Sequence, residues 1–227
     1  MNGKTIICII ARLKSRRLPQ KALAVLYGET LIMRLIERLR GVKIPIVLCT
    51  SNNTQDMPLA DIAQSNGLSY IQGDEDDVMS RALDAADICG ADTIIRVTGD
   101  NPLTDPDLLA YLLQRHKGAD NDYTYTKDAP RGTRSEIIKT TALYQLYKGL
   151  SGTARNDTEY MTNYLFTLPK RENIQLPLMW VARDQSFTVD TLDDLEYVRQ
   201  IYDEFQGKPP KLEELIQWGN KHPKIKG

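Results

Sequence analysis

Residues 5–21 read TIICIIARLKSRRLPQK. The first six form an unbroken β-rich apolar run, and such runs mark strands covered on both faces, as in parallel sheets. Polarity then reverses at once. Arg12, Lys14, Arg16, Arg17 and Lys21 place five cations in the short stretch that follows. Open α/β sheets bind ligands beyond the carboxyl ends of their strands. A cationic loop there suits polyphosphate, held by backbone N–H groups and side-chain charge; a solvated basic loop is the competing reading. GxxxxGK[ST] and GxGxxG are both absent, so neither the P-loop nor the dinucleotide fingerprint applies.

Working outward, the same alternation repeats. A helical pattern over 31–39 ends at Gly41, and Ile44 to Cys49 is a second buried strand. A helix marked by Leu59, Ile62 and Ala63 stops near Gly67, and a short strand covers 69–71. Val78, Ala82, Ala85 and Cys89 recur at helical spacing before Gly90, and Thr93 to Val97 is a fourth strand. Asp105 and Pro106 read as an N-cap followed by proline at the first helical position, with Leu108, Leu109, Leu112 and Leu113 facing a core. This βα alternation predicts an α/β fold of three layers around a mainly parallel sheet.

The second half changes character. Strands are expected at 123–126 and 135–138, forming a small β excursion over about 120–140, then helices at 140–149 and 155–166. A strand at 187–189 precedes a helix from about Leu192 to Phe205. The tail, 207–227, carries Pro209 and Pro210 in a solvated basic linker and then a short amphipathic helix.

The bulk numbers narrow the function. The chain has 227 residues, 41% hydrophobic and 26% charged, which suits one α/β domain. With 29 basic and 30 acidic side chains the net charge is −1, so no global positive field exists to hold nucleic acid. No apolar run approaches the roughly 20 residues that span a bilayer, and no signal-peptide pattern opens the chain, so no membrane partner is expected. Cys8, Cys49 and Cys89 form no CxxC pair, which points to a reducing, cytoplasmic compartment and away from zinc. His116, near the end of a leucine-rich helix, is expected as a cation favoured by the helix dipole. With His222 in the tail as the second histidine, a Ser-His-Asp or Cys-His mechanism has little support.

Three further stretches carry candidate chemistry. In VTGDNPLTDPD (97–107), Asp100 sits where a strand opens into a loop, a position suited to Mg²⁺. In FTVDTLDDL (187–195), Asp190 follows an apolar run; it is a second metal ligand or a plain N-cap, a task that Thr191 or Asp193 can share. In GDEDDVMSR (73–81), Arg81 hydrogen-bonds a ligand or pairs on the surface with Asp77 or Asp84. Thr50 and Ser51, just beyond the second strand, are candidates to touch a base or ribose. Two acidic loops and one cationic loop are the minimal set for nucleotidyl transfer, which needs no protein nucleophile.

In these stretches the chain resembles the cytidylyltransferases of the spore-coat-polysaccharide and acylneuraminate type, related to CMP-Kdo synthetase. Their opening signature runs approximately A-R-x-x-S-x-R-L-P-x-K; here Ala11, Arg12, Ser15, Arg17 and Lys21 fall on it. GDEDDVMSR places Arg81 on the family's arginine, TGDNPLTDPD places Asp100 on the first metal ligand, and FTVDTLDDLEYVR places Asp190 on the second. GTRSEI (132–137) places Glu136 near the acceptor pocket. The resemblance implies a Rossmann-like nucleotidyltransferase over 1–227, CTP as donor, Mg²⁺, a homodimer and a place in cell-surface polysaccharide synthesis. It further implies nucleotide contacts from Ala11, Arg12, Ser15, Arg17, Lys21, Arg81 and Asp100, and acceptor contacts from Arg131, Glu136, Glu159 and Tyr160. Lys14 and Arg16 stand where the family has small residues, Gln20 where it has glycine, and Tyr160 where many relatives have histidine. These departures imply a phosphorylated or otherwise unusual small-molecule acceptor. Two other functions remain open at this point: a metal-dependent glycosyltransferase, which should show Asp-x-Asp after a central strand, and an inactive nucleotide-binding protein of the same fold.

Overall fold

The computed structural model describes residues 3–151 and 158–224. Strand β1 (Thr5–Ile10) has no exposure at Ile6, Ile7, Cys8 or Ile9. Successive strand side chains point to opposite faces. Ile7 and Ile9 therefore join one core cluster, with α1 (Leu31–Arg40) and α4 (Pro106–Ala119). Ile6 and Cys8 join another, with α3 (Val78–Cys89) and α5 (Thr140–Gly149). Burying one such isoleucine contributes about 1.5–3 kcal/mol. The three layers follow directly from this two-faced burial.

The remaining elements are the hairpin strands β2 (Val25–Leu26) and β3 (Glu29–Thr30), then β4 (Ile46–Ser51), α2 (Met57–Ser65), β5 (Ser69–Gly73), β6 (Thr93–Thr98), β7 (Tyr123–Tyr125), β8 (Glu136–Lys139), α6 (Met161–Leu165), β9 (Arg171–Asn173), α7 (Leu192–Glu204) and α8 (Leu212–Lys221). Among the described residues the main sheet has seven strands in the order β5-β4-β1-β6-β8-β7-β9. Only β8 runs against its neighbours, pairing antiparallel with both β6 and β7. The fold is thus α/β with a mostly parallel sheet, and β7 and β8 extend that sheet. The chain moves outward from β1 to β4 and β5, then returns to the other side of β1 with β6. That reversal opens a crevice at the carboxyl ends of β1 and β6.

Several expectations need correction. Residues 187–189 are extended but form no strand. Their amides serve loops: Phe187 N–H donates to the Arg131 carbonyl at 2.8 Å and Val189 N–H to that of Asp100 at 3.0 Å. The predicted helix over 155–166 is described only as α6, because 155–157 lie outside the described residues and 158–160 are not helical. The second strand runs to Ser51, so Thr50 and Ser51 lie within it. The linker around Pro210 is not freely solvated: Arg38 donates to the carbonyls of Pro209 at 3.2 Å and Pro210 at 2.9 Å. His116 is 4% exposed and shares a 2.9 Å hydrogen bond with Thr124 Oγ1. Burial lowers its pKa to about 4, so it is a neutral packing group and not a helix-end cation. No helix among the described residues is long and apolar enough to cross a membrane.

Candidate functional site

The basic loop leaves β1 under firm control. Ala11 N–H donates to the Cys49 carbonyl at 3.0 Å, and Gln20 N–H returns to that of Leu13 at 3.0 Å. Leu13 N–H donates to Asp56 Oδ1 at 2.7 Å. Asp56 is fully buried, and its other oxygen takes the Ser51 hydroxyl. Sequence reasoning missed Asp56, since an acid before a helical proline looks like an ordinary cap. Gly99 brings β6 against the loop: a Cβ there would lie 2.7 Å from the Ala11 Cβ.

Lys21 closes the loop onto the two acidic segments. Its Nζ lies 2.8 Å from Asp100 Oδ2 and 2.9 Å from Asp190 Oδ1. Arg17 reaches Asp190 Oδ2 at 3.0 Å, and the Thr98 hydroxyl donates to Asp100 Oδ1 at 2.7 Å. Asp190 is spared from capping. Thr191 caps α7 and forms a capping box with Asp194, so Asp190 faces the cleft. Desolvation would lower the Lys21 pKa, but Asp100 and Asp190 outweigh it and raise it. Desolvation likewise opposes the charge on Asp190, yet Lys21 and Arg17 hold that carboxyl below its ordinary value.

These groups border a cleft of about 640 Å³ that also takes in Ala11, Arg12, Ser15 and Arg81. Arg12 pairs with Glu75 at 3.1 Å and contacts Glu159, and Lys14 pairs with Glu75 at 3.2 Å. Arg81 is 1% exposed and makes no surface pair with Asp77 or Asp84. Asp77 instead caps α3, accepting from Ser80 N–H at 3.0 Å. One Arg81 terminal nitrogen donates to the Glu75 carbonyl at 3.1 Å, while Nε and Nη1 have no partner among the described residues. Gly73 makes room for it, since a Cβ there would fall 2.8 Å from the Arg81 Cγ. Thr50 and Ser51 are fully buried and lie outside this lining.

A second hollow of about 390 Å³ adjoins the first and shares Arg96, Thr98, Asp100 and Asp190 with it. The residues expected to meet an acceptor are divided between the two. Arg131 and Glu136 border the second hollow, whereas Glu159 and Tyr160 border the first. Glu136 is held by the Arg96 guanidinium, the Tyr123 hydroxyl and the Thr162 hydroxyl, the last at 3.1 Å. Sequence reasoning gave Arg96 no role, because it reads as the one charged residue of an otherwise mostly apolar strand.

The acidic pair offers a cation only carboxylate oxygens, and both side chains converge on one ammonium. That donor set fits Mg²⁺, which is commonly held by one or two carboxylates while substrate phosphates and water complete its shell. Among the described residues no cluster of three or more His, Cys, Asp or Glu side chains forms a fuller cage.

Comparisons with known proteins bear on the fold and the family. The spore coat polysaccharide biosynthesis protein SpsF of Bacillus subtilis strain 168 is 29% identical over 228 residues, covering 96% of this chain and 95% of that protein. A cytidylyltransferase structure from Leptospira borgpetersenii serovar Hardjo-bovis superposes with a TM-score of 0.88 at 25% identity, over 100% of this chain and 99% of that one. CMP:2-keto-3-deoxy-manno-octonic acid synthetase, solved in complex with CTP, shares the fold with a TM-score of 0.68 at 17% identity, over 89% of this chain and 99% of that one. The cytidylyltransferase family model matches residues 6–209, and the chain belongs to that family of nucleotidyltransferases.

Proposed function

We propose that the protein transfers CMP from CTP to a small acidic sugar or a phosphorylated or phosphonate acceptor, releasing pyrophosphate. The observation that carries this reading is the convergence of Asp100 and Asp190 on Lys21 where the two hollows meet. A donor triphosphate in the first hollow and an acceptor in the second would then share one acidic, cation-lined junction. An acceptor hydroxyl oxygen attacks the α-phosphorus, the bond from that phosphorus to the bridging oxygen breaks, pyrophosphate leaves, and the hydroxyl proton passes to water. Asp100 and Asp190 would hold Mg²⁺, which when bound neutralises charge on the phosphate oxygens. Arg12, Arg17 and Lys21 take charge on the triphosphate and the departing pyrophosphate, and Ser15 and Ala11 shape the loop. Arg81 directs its free N–H groups to the nucleotide. Support for CTP comes from the family and from the CTP complex of the related synthetase. The name of the Bacillus relative supports a place in polysaccharide synthesis.

The test is thermal stability with Mg²⁺ and each of CTP, UTP, GTP and ATP. A ligand at 100 times its Kd adds about 2.7 kcal/mol to a native state it binds selectively. A Mg²⁺-dependent rise in Tm with CTP alone is expected. A rise with a different nucleotide would overturn the base assignment, and no rise with any of the four would overturn the donor reading.

A further inference from the structure

The turn before β8 places two arginines near one another with no paired carboxylate among the described residues. Gly132 makes the turn, at φ 88°, and presses so closely on the extended segment that a Cβ would lie 2.5 Å from Phe187 C and Thr188 N. Arg131 and Arg134 flank it, and both border the second hollow. Arg134 donates through Nε to the Ala129 carbonyl at 2.6 Å. Among the described residues no carboxylate pairs with Arg131 or with Arg134. The adjacent acid, Asp128, is already committed: Arg183 grips its Oδ1 at 2.7 and 3.0 Å, and its Oδ2 accepts from Leu176 N–H at 3.2 Å. The carboxylates that border the hollow are equally occupied, Glu136 by Arg96 and Asp100 and Asp190 by Lys21.

Two more features point to a missing anion. Ser135, only 2% exposed, borders the hollow with a hydroxyl that has no hydrogen-bond partner among the described residues. Leaving a buried hydroxyl unmet is costly. Burial and the charge on Arg131 bring the Arg134 pKa down to about 10, and the charge on Asp128 offsets them only in part.

We propose that Arg131, Arg134 and Ser135 hold a phosphate or phosphonate group of the acceptor. Two guanidinium forks match the charge and the several oxygens of a tetrahedral dianion. A lone carboxylate fills one fork and leaves the other uncompensated. Lys127, at the exposed rim of the same hollow, adds to the preference for higher charge. This inference rests on the cytidylyl-transfer reading for the identification of the ligand as an acceptor; the anion site itself does not.

The probes are methyl phosphate and acetate, titrated at pH 7 into the full chain with CMP at saturation and followed by the arginine Nε–Hε signals in NMR. Methyl phosphate should shift the Arg134 signal saturably and bind at least about ten-fold more tightly than acetate. Arg131→Ala, at an exposed position, and Ser135→Ala should each weaken methyl phosphate with the CMP affinity unchanged; Arg134→Lys should weaken it too. Equal or tighter binding of acetate overturns the phosphate assignment. An unmoved Arg134 signal, or variants that bind methyl phosphate like the wild type, overturns the site. CTP binding without methyl phosphate binding overturns this inference alone. Methyl phosphate binding with no response to any nucleotide supports the anion site and overturns the transfer reading.

Discussion

Lys21 and Asp190 stand 169 positions apart in the chain and 2.9 Å apart in the fold. The contact joins the loop after β1 to the segment before α7, with Asp100 on the same ammonium. Its pH limits follow from the shifts. The raised Lys21 pKa means its contribution is complete below the ordinary lysine value and is lost as pH rises through the higher folded value. The lowered Asp190 pKa means its contribution is complete above the ordinary carboxylate value and is lost as pH falls through the lower folded value. The clamp is therefore intact across the neutral range.

Removing either carboxylate should abolish most turnover without unfolding the chain. Asp100→Asn and Asp190→Asn are each expected to lower CTP-dependent pyrophosphate release by at least about 100-fold, because even outer-shell partners of a metal site cost 10–100-fold. Circular dichroism should show the wild-type fold. Turnover within a few-fold of wild type in either variant would remove that residue from the site.

A stability change in mild acid belongs to His116 instead. Its folded pKa is lowered to about 4, so between the ordinary histidine value and that point the unfolded chain binds more protons. Stability is complete above about pH 6.5 and falls toward pH 4, by at most about 3 kcal/mol. Urea melts from pH 7 to pH 4.5 should show this slope, and His116→Gln should flatten it. An unchanged slope in the variant would assign the titration elsewhere.

Arg81 should trade stability against binding. Its unpaired buried N–H groups burden the free protein. Arg81→Met fills similar volume without a charge and leaves no unmet N–H group behind. We expect Tm to hold or rise while the CTP Kd, measured by calorimetry, weakens at least about ten-fold, the loss of one charge-assisted hydrogen bond. A clear fall in Tm with unaltered CTP affinity would make Arg81 a purely structural residue.

Gln20 occupies the left-handed region at φ 56°, which favours glycine. Side chains pay roughly 1–2 kcal/mol there, and glycine gives back part of the gain as chain entropy. Gln20→Gly should therefore stabilise the protein by about 0.5–1 kcal/mol in denaturant melts. A loss of stability would show that the Gln20 side chain makes up for its strain.

Legibility in the sequence tracked how local the physics is. The six apolar residues of β1 announced burial on both faces, and the charge reversal at Arg12 announced the cleft. Asp190 was legible from its place after an apolar run, although that run is an extended loop held by Arg131 and Asp100. Edge strand β9 reads Arg-Glu-Asn and gave no strand signal, because an edge strand with partly exposed side chains needs no apolar pattern. The hairpin of β2 and β3 is two residues on each side, too short to show a period. The charge state of His116 and the unpaired state of Arg81 depend on burial by distant segments, which spacing cannot reveal. Asp56 escaped for the same reason, since its partner Leu13 lies 43 positions away.

The order of the sheet separates two tasks along the chain. Strand β6 alone stands between β1, which launches the basic loop, and β8, which follows the arginine turn. Residues 123–136 border only the second hollow, while residues 10–22 border only the first. On the proposed reading, donor recognition and acceptor recognition are written in different sentences of the sequence, with Arg96, Thr98, Asp100 and Asp190 as the punctuation they share. On that reading, drift in the arginine turn redraws what is accepted while the wording that grips the donor is left untouched.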